Sequence, residues 1–442
     1  MRSSIATATL PGQPKKIPAA PLRLCFVGCG SRARAYAEVV ASRPQLLEAV
    51  AIADPLASQR ADVRSLLGDT GVREFQTGEE LLAAGRLGDV AVITTQDKFH
   101  YRQAMLALRA GYDLLLEKPA ACTSAEVHDL VRLANELGRR IVLCFVLRYT
   151  PFYRAVKRVL DSGRLGKLVS IQATEGVEPW HFGHSFVRGN WSVREKSTPM
   201  IVQKCSHDTD ILSWLAGSEC TAVSSFAGNQ WFRPENAPAG ATARCTDPCP
   251  HAADSSCPFP AQRYLTDKKQ PWLPQVMPGW ANASDDEILD WLRKGDWGRC
   301  VYTCGHDTPD HQVVSLQFAS GVTAQLLMTA FDRGRRIRIH GTEAILQGSL
   351  HADGEIHRLE LRLHHGGEAE QIEVEDPSAN GYAGHGGGDF GLVDSLHELI
   401  SAPGPFDNSH FMAGHLIAFA ADAAFHTGRV IVPAELLQSS VF

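Results

Sequence analysis

No apolar stretch of this 442-residue chain reaches the length of a bilayer span, so no membrane partner is expected. Residues Met1 to Ala20 lack the apolar core of a secretory leader. That stretch, rich in Pro, Ala and Thr with Arg2 and the pair Lys15-Lys16, reads as a disordered tail, and cytoplasm is the simplest address. Charge of one sign is missing too. The 43 basic and 49 acidic residues leave a formal charge of -6, with no basic stripe, which argues against a nucleic-acid partner. No internal repeat is visible. The eleven cysteines are an odd number in a chain without a leader, so thiols or a metal site are expected before a disulfide framework. What remains is an ordinary globular composition, 44% apolar, long enough for two sizeable domains.

The apolar run Leu22 to Val27 leads into Gly28-Cys29-Gly30-Ser31-Arg32-Ala33, and Ala35, Val39 and Val40 then supply a helical apolar face. In a strand-turn-helix setting the first glycine allows the tight turn and the second lets backbone approach a pyrophosphate. The small Ala33 permits close helix packing, and the helix start faces the phosphates. A second strand, Ala49 to Ala53, ends in Asp54, at the spacing of a ribose-binding acid that would repel a 2'-phosphate. NAD is therefore expected rather than NADP. Asp54 also suits a helix cap ahead of Pro55. Further alternation follows: a helix over Ala57 to Leu67, strands near Val72 to Phe75 and at Val90 to Ile93, and a helix from His100 to Ala110. The strand Leu114 to Leu116, a helix over Ser124 to Leu137 and the strand Ile141 to Val146 complete a doubly wound parallel sheet over 21–147. Thr94, Thr95 and Gln96 fall at its carboxyl edge, where they could touch the nicotinamide ribose. His100 joins this cofactor side as a structural residue at a helix start rather than a catalyst.

In such a sheet ligands lie beyond the carboxyl ends of the strands, so Glu117 and Lys118 would emerge at the cofactor crevice before Pro119 stops the strand. A solvated lysine in a turn is the alternative. From Leu147 onward the pattern changes. Strands at Leu168 to Ala173, Val313 to Phe318, Val322 to Leu327, Arg336 to His340, Ala344 to Leu346, Glu355 to Leu363 and Gln371 to Val374 predict a mostly antiparallel sheet within 148–442. Two final helices are expected at Phe390 to Ile400 and Phe411 to His426.

Taken together, Gly28-Cys29-Gly30, Asp54, Thr95, Glu117-Lys118-Pro119 and Cys205-Ser206-His207-Asp208-Thr209-Asp210 resemble the Gfo/Idh/MocA family of nicotinamide-dependent sugar oxidoreductases. The resemblance runs from Leu22 to the C-terminus. It implies a Rossmann domain followed by an open α+β domain, homo-oligomers, dimers or tetramers, that pair through the large sheet, and a cis Lys118-Pro119 bond. It also implies catalytic roles for Lys118, at the reacting carbon, and His207, the acid/base histidine at a helix start. Many members carry an aspartate four residues before that histidine; here Gln203 stands there and Lys204 follows it.

Oxidising a carbinol requires the hydroxyl proton to leave as the hydride does, which needs a base within hydrogen-bond reach. A histidine suits that role. Lys118 then stabilises the oxygen as a fixed cation or, if desolvated, is itself the base. Glu117 would hold Lys118 or the nicotinamide ribose. The stretch Trp180-His181-Phe182-Gly183-His184-Ser185-Phe186-Val187-Arg188 looks like a substrate wall, with Trp180, His181, His184 and Arg188 facing a sugar; domain packing is its other use. Arg148, Tyr149, Lys204 and His385 are further candidates for the cleft.

A Pro- and Trp-rich insert at about 228–304 holds Cys245, Cys249, Cys257, Cys300 and Cys304. Their spacing suits a structural thiolate zinc site of Cys245, Cys249 and Cys257 completed by Cys304, or by Cys300. Free thiols and an iron-sulfur cluster stay open. The functional expectation is hydride transfer between NAD and a secondary alcohol of a sugar, polyol or glycoside. An NAD-retaining glycosidase with transient 3-keto oxidation and a non-catalytic sugar- or dinucleotide-sensing regulator are the alternatives.

Overall fold

The computed structural model describes residues 20–68, 71–253, 256–266, 272–352, 356–377 and 384–437. Residues 1–19 of the expected N-terminal tail, and Glu355, the expected start of one strand, lie outside the described residues. Two compact units result. The first takes the chain up to Ser162 together with Glu373–Leu416 and 436–437, and the second takes Gly163–Ile372 and Ile417–Glu435.

The first unit is built on six parallel strands: β1 (Leu22–Val27), β2 (Leu47–Ala53), β3 (Arg73–Phe75), β4 (Val90–Ile93), β5 (Asp113–Leu116) and β6 (Ile141–Leu143). Their order is β3-β2-β1-β4-β5-β6, the doubly wound arrangement whose direction reverses between β1 and β4. The short strands β4 and β5 are buried along almost their whole length, which explains why they read as apolar runs without alternation. Helix boundaries follow local chemistry. Thr123 and Glu126 form a reciprocal capping box at the start of helix Ser124–Leu137, and Gly138, at φ 61°, ends it. Beyond β6 the chain turns into a 3-10 helix, Val146–Tyr149. The later helix Gly388–Ser401 packs Leu392, Val393 and Leu396 into the same core as Phe26 and Val142. Each such side chain contributes about 1.5–3 kcal/mol of burial.

The second unit is an eight-stranded sheet of β7 (Leu168–Val177), β8 (Cys220–Gly228), β9 (His311–Phe318), β10 (Thr323–Thr329), β11 (Arg333–Gly341), β12 (Ala344–Leu350), β13 (His357–Leu363) and β14 (Glu370–Gln371). The order is β14-β13-β12-β11-β7-β10-β9-β8. Only β7 and β10 pair in parallel. Strand β7 runs past the expected Ala173 to Val177 because β10 and β11 pair with it along its length. Alternating burial along β9 and β10 leaves one sheet face open, and the other receives helix Ser206–Ala216 through Ile211, Leu212 and Leu215. Among the described residues no helix is long and apolar enough to cross a membrane.

Candidate active site

The turn after β1 is shaped for a phosphate. Gly28 has φ 91°, and a Cβ there would stand 2.9 Å from Thr95 Cγ2 and 3.0 Å from the Thr94 carbonyl carbon. Gly30 is the N-cap of helix Ser31–Ala41, and no side chain caps its amides. A Cβ on Gly30 would meet nothing nearer than 3.8 Å, so the approach to those amides is open. Asp54, at the end of β2, accepts from Cys29 N and Leu56 N, each at 2.9 Å, which fixes its carboxylate beside the loop. These features fit a dinucleotide: amides for the pyrophosphate at Gly30, Ser31 and Arg32, and an acid for the ribose.

The Arg32 side chain is engaged by two carboxylates. Its guanidinium does not wait for a phosphate. Nε lies 2.6 Å from Glu117 Oε1, while Nη2 and Nη1 fork onto the two oxygens of Asp389 at 2.6 and 3.1 Å. Tyr36 OH donates to Glu117 Oε1 at 2.6 Å, and Glu117 Oε2 accepts from Lys118 N at 3.0 Å. Burial alone would raise both carboxyls. For Asp389 the Arg32 cation and then His385 hold the group well below the usual range; the Glu117 carboxyl is lowered by Arg32 and then Lys118.

Lys118 therefore leaves β5 on a backbone amide held by a buried carboxylate, followed by a cis peptide to Pro119, as the resemblance implies. His100 braces the same corner, with Nδ1 2.7 Å from Pro119 O and Nε2 2.9 Å from Thr95 O. Thr95 Oγ1 donates to Gln103 on helix Asp97–Arg109 at 2.6 Å, and the buried Thr94 hydroxyl donates to Gly28 O at 2.9 Å, so both hydroxyls are engaged within the protein. Gln96 is exposed at the start of helix Asp97–Arg109. Sequence reasoning missed His415. Its Nε2 accepts from Ala120 N at 3.0 Å, and burial, helped by the Lys118 charge, pushes its pKa down to about 4. No motif marks it.

In the second unit His207 is 5% exposed in the first turn of helix Ser206–Ala216. The adjoining Asp208 pairs with Arg335 Nε at 2.8 Å; Arg335 Nη2 lies 2.8 Å from Glu175 Oε2, and Lys204 Nζ lies 3.6 Å from Glu175 Oε1. Two acids balance two cations. Burial raises the Glu175 carboxyl, and the neighbouring Arg335 works against it. Lys204 is thus held by a β7 carboxylate that no motif revealed.

The expected substrate wall is turned inward. Trp180 is 4% exposed under the Arg263 guanidinium, and His181 packs on Trp272 with ring centroids 5.0 Å apart. His184 bonds Tyr264, and burial, with Arg188 nearby, drives its pKa to about 3. Arg188, 2% exposed, donates to Arg299 O at 2.6 Å and to Phe259 O at 2.7 Å. These groups hold the insert together, because a buried cation among carbonyls has no reach left for a sugar. Three other cleft candidates lie in the first unit. Arg148 reaches His410 O at 3.4 Å, Tyr149 packs against the core under Arg154, and His385, at φ 48°, stands 2.9 Å from Asp389 Oδ2.

The cysteine expectation is also corrected. All eleven cysteines are free, and among the described residues no three His, Cys, Asp or Glu stand close enough to hold a metal. Cys245, Cys249, Cys257 and Cys300 line one small cavity that Cys304 does not share; Cys304 Sγ points at Val187 O, 3.3 Å away. A cation already occupies that wall: Arg188 Nη2 lies 3.4 Å from Cys245 Sγ. Zinc is not supported.

Comparison with known proteins agrees with this geometry. Residues 22–145 match the oxidoreductase family's NAD-binding Rossmann domain, and 157–383 its C-terminal alpha/beta domain. The chain is 21% identical to the putative oxidoreductase YteT of Bacillus subtilis over 59% of its length and 60% of that protein's. It is 32% identical to an inositol 2-dehydrogenase of Leifsonia xyli over 39% and 47%. The matched segment thus spans about half the length of these curated relatives. Two solved structures share the fold. One is an oxidoreductase from Agrobacterium radiobacter in complex with NAD+, L-tartaric acid and magnesium, with TM-score 0.66 at 15% identity over 95% of this chain and 100% of that one. The other is a scyllo-inositol dehydrogenase from Lactobacillus casei with NAD(H) and scyllo-inositol, with TM-score 0.61 at 16% identity over 94% and 99%. With both family domains matched over most of its length, the chain belongs to the Gfo/Idh/MocA oxidoreductase family.

Proposed function

We propose that the protein is an NAD-dependent oxidoreductase acting on a secondary alcohol of a sugar, polyol or glycoside, with Lys118 and His207 as its catalytic residues. The observation that carries this reading is the tethering of Lys118: a buried carboxylate fixes its amide at the carboxyl edge of β5, in the same unit as an open glycine turn and Asp54. Bound NAD supplies the hydride acceptor. Asp54 favours it over NADP, since a 2'-phosphate would meet a carboxylate. His207 takes the hydroxyl proton, and Lys118 stabilises the oxygen that becomes the carbonyl.

The surroundings of Lys118 favour the electrostatic role over the base. Glu117, whose carboxyl is held below its usual range by Arg32 and then Lys118, is the anion next to this amine. The named relatives make cyclic polyols the first compounds to try. Purified protein with NAD and a panel of inositols, aldoses, uronic acids and glycosides gives NADH in step with ketone under this reading. Sugar release from a glycoside without net NADH would replace it with the redox glycosidase. Binding of a sugar or NAD with neither outcome would leave a regulator.

A further inference from the structure

Asp389 lies in the first turn of helix Gly388–Ser401, 357 residues from Arg32, yet its carboxylate is 7% exposed and both oxygens accept from the Arg32 guanidinium. A bidentate fork of this kind is directional, so it fixes the plane of the guanidinium as well as its position. Arg32 Nε is then aimed at Glu117 Oε1, and Glu117 spends its other oxygen on Lys118 N. Tyr36 closes the figure by accepting from Arg32 Nη2 at 2.7 Å and donating to Glu117. Each partner in this chain has its geometry set by the previous one.

We propose that Asp389 and Arg32 are positioning residues for Lys118, through which the late helix Gly388–Ser401 sets both the placement and the charge of the lysine. The inference rests on the reading of Lys118 as a catalytic cation. Removing the Asp389 charge takes one negative charge from the cluster of Asp389, His385, Arg32 and Glu117, and Glu117 is the carboxylate that interacts with Lys118. Arg32, freed from the fork, also no longer orients Glu117. The expected loss is in turnover and not in dinucleotide binding, because the open Gly30 amides and Asp54 do not depend on the Arg32 guanidinium.

The test compares Asp389→Asn, Arg32→Met, the double variant and Lys118→Met. Four quantities are read: kcat, the Kd for NAD, Tm, and acetylation of Lys118 by acetic anhydride followed by mass spectrometry. Asp389→Asn lowers kcat roughly 10- to 100-fold, as for a misplaced catalytic group, with NAD affinity within about twofold. Lys118 acetylation at neutral pH rises, since the amine gives up its proton more readily. The double variant is no slower than Arg32→Met, because both changes cut the same chain. Should Asp389→Asn fail to fold, Asp389→Glu and Arg32→Lys take its place, each keeping the charge and losing the fork geometry, with a smaller fall in kcat. Wild-type kcat and acetylation in Asp389→Asn, or additive losses in the double variant, would overturn the proposal. If the wild-type protein oxidises no alcohol, the functional reading fails instead, and the acetylation profile still decides whether Asp389 governs Lys118.

Discussion

Glu117 Oε1 lies 2.6 Å from Arg32 Nε, and the other oxygen of the same carboxylate holds the amide of Lys118 at 3.0 Å. One buried acid thus ties the helix after the glycine turn to Lys118 after β5, so the glycine turn and this lysine share a support.

Gly28 cannot carry a side chain. At φ 91° with Thr95 Cγ2 at 2.9 Å, Gly28→Ala strains the backbone and pushes the β4 loop outward. The expected loss is at least ~1 kcal/mol of stability, together with NAD affinity. Urea denaturation beside a fluorescence titration with NAD measures both, and a variant matching wild type in each would reject the turn's role.

Asp54 is the residue proposed to select the dinucleotide. Asp54→Ala should weaken NAD binding roughly 10- to 100-fold, the worth of charge-assisted hydrogen bonds, and narrow the preference over NADP. Competitive titration of the two dinucleotides is the measurement. An unchanged ratio of affinities would remove Asp54 from the ribose site.

The cluster around Glu175 makes two opposite predictions. Arg335→Met strands Asp208 and Glu175 without their shared cation and should cost about 3–5 kcal/mol. Glu175→Gln leaves Arg335 on Asp208 and replaces a carboxyl already raised by burial, while Lys204, 3.6 Å away with its side chain 18% exposed, keeps access to water, so the cost should stay within about 1 kcal/mol. Equal losses in denaturant melts would show that the two ion pairs are not the cause.

Acid should destabilise the fold through its buried histidines. His184 and His415 have native pKa values lowered from 6.5 to about 3 and about 4, chiefly by burial. The unfolded chain therefore binds more protons below pH 6.5, so this stability is fully present above that pH and is lost as pH falls toward the native values. For His415 the term is ~3 kcal/mol across that window. His415→Gln should flatten the dependence of the denaturation midpoint between pH 6.5 and 4, and an unchanged slope would contradict the account.

Much of the first unit was legible because its signals are local. Gly28, Gly30 and Asp54 sit on consecutive elements, and the apolar runs of β4 and β5 match their burial. The second sheet was legible where strands alternate, as in β9. It was not legible at β8, whose small and polar residues hide the period, with Phe226 turned to the open side at 75% exposure. Lys118 and His207 were singled out by motif, whereas the residues that support them were not. Asp389, Tyr36, Glu175 and His415 meet the site residues only through tertiary contacts, and nothing local distinguishes them from ordinary polar residues. The insert misled for a related reason. Aromatic and cationic residues from Trp180 to Arg188 look the same in a row whether they face a ligand or one another, and only the partners Tyr264, Arg299 and Phe259 decide it.

The central claim is that a hydrogen leaves a carbinol carbon as hydride with Lys118 beside the oxygen. The most direct test follows deuterium from a carbinol C–D bond of an accepted polyol into NADH by mass spectrometry, in wild type and in Lys118→Met. The account predicts stoichiometric transfer in wild type and none in Lys118→Met, with NAD still bound at near wild-type affinity. Wild-type transfer in the variant, or deuterium lost to solvent, would contradict it.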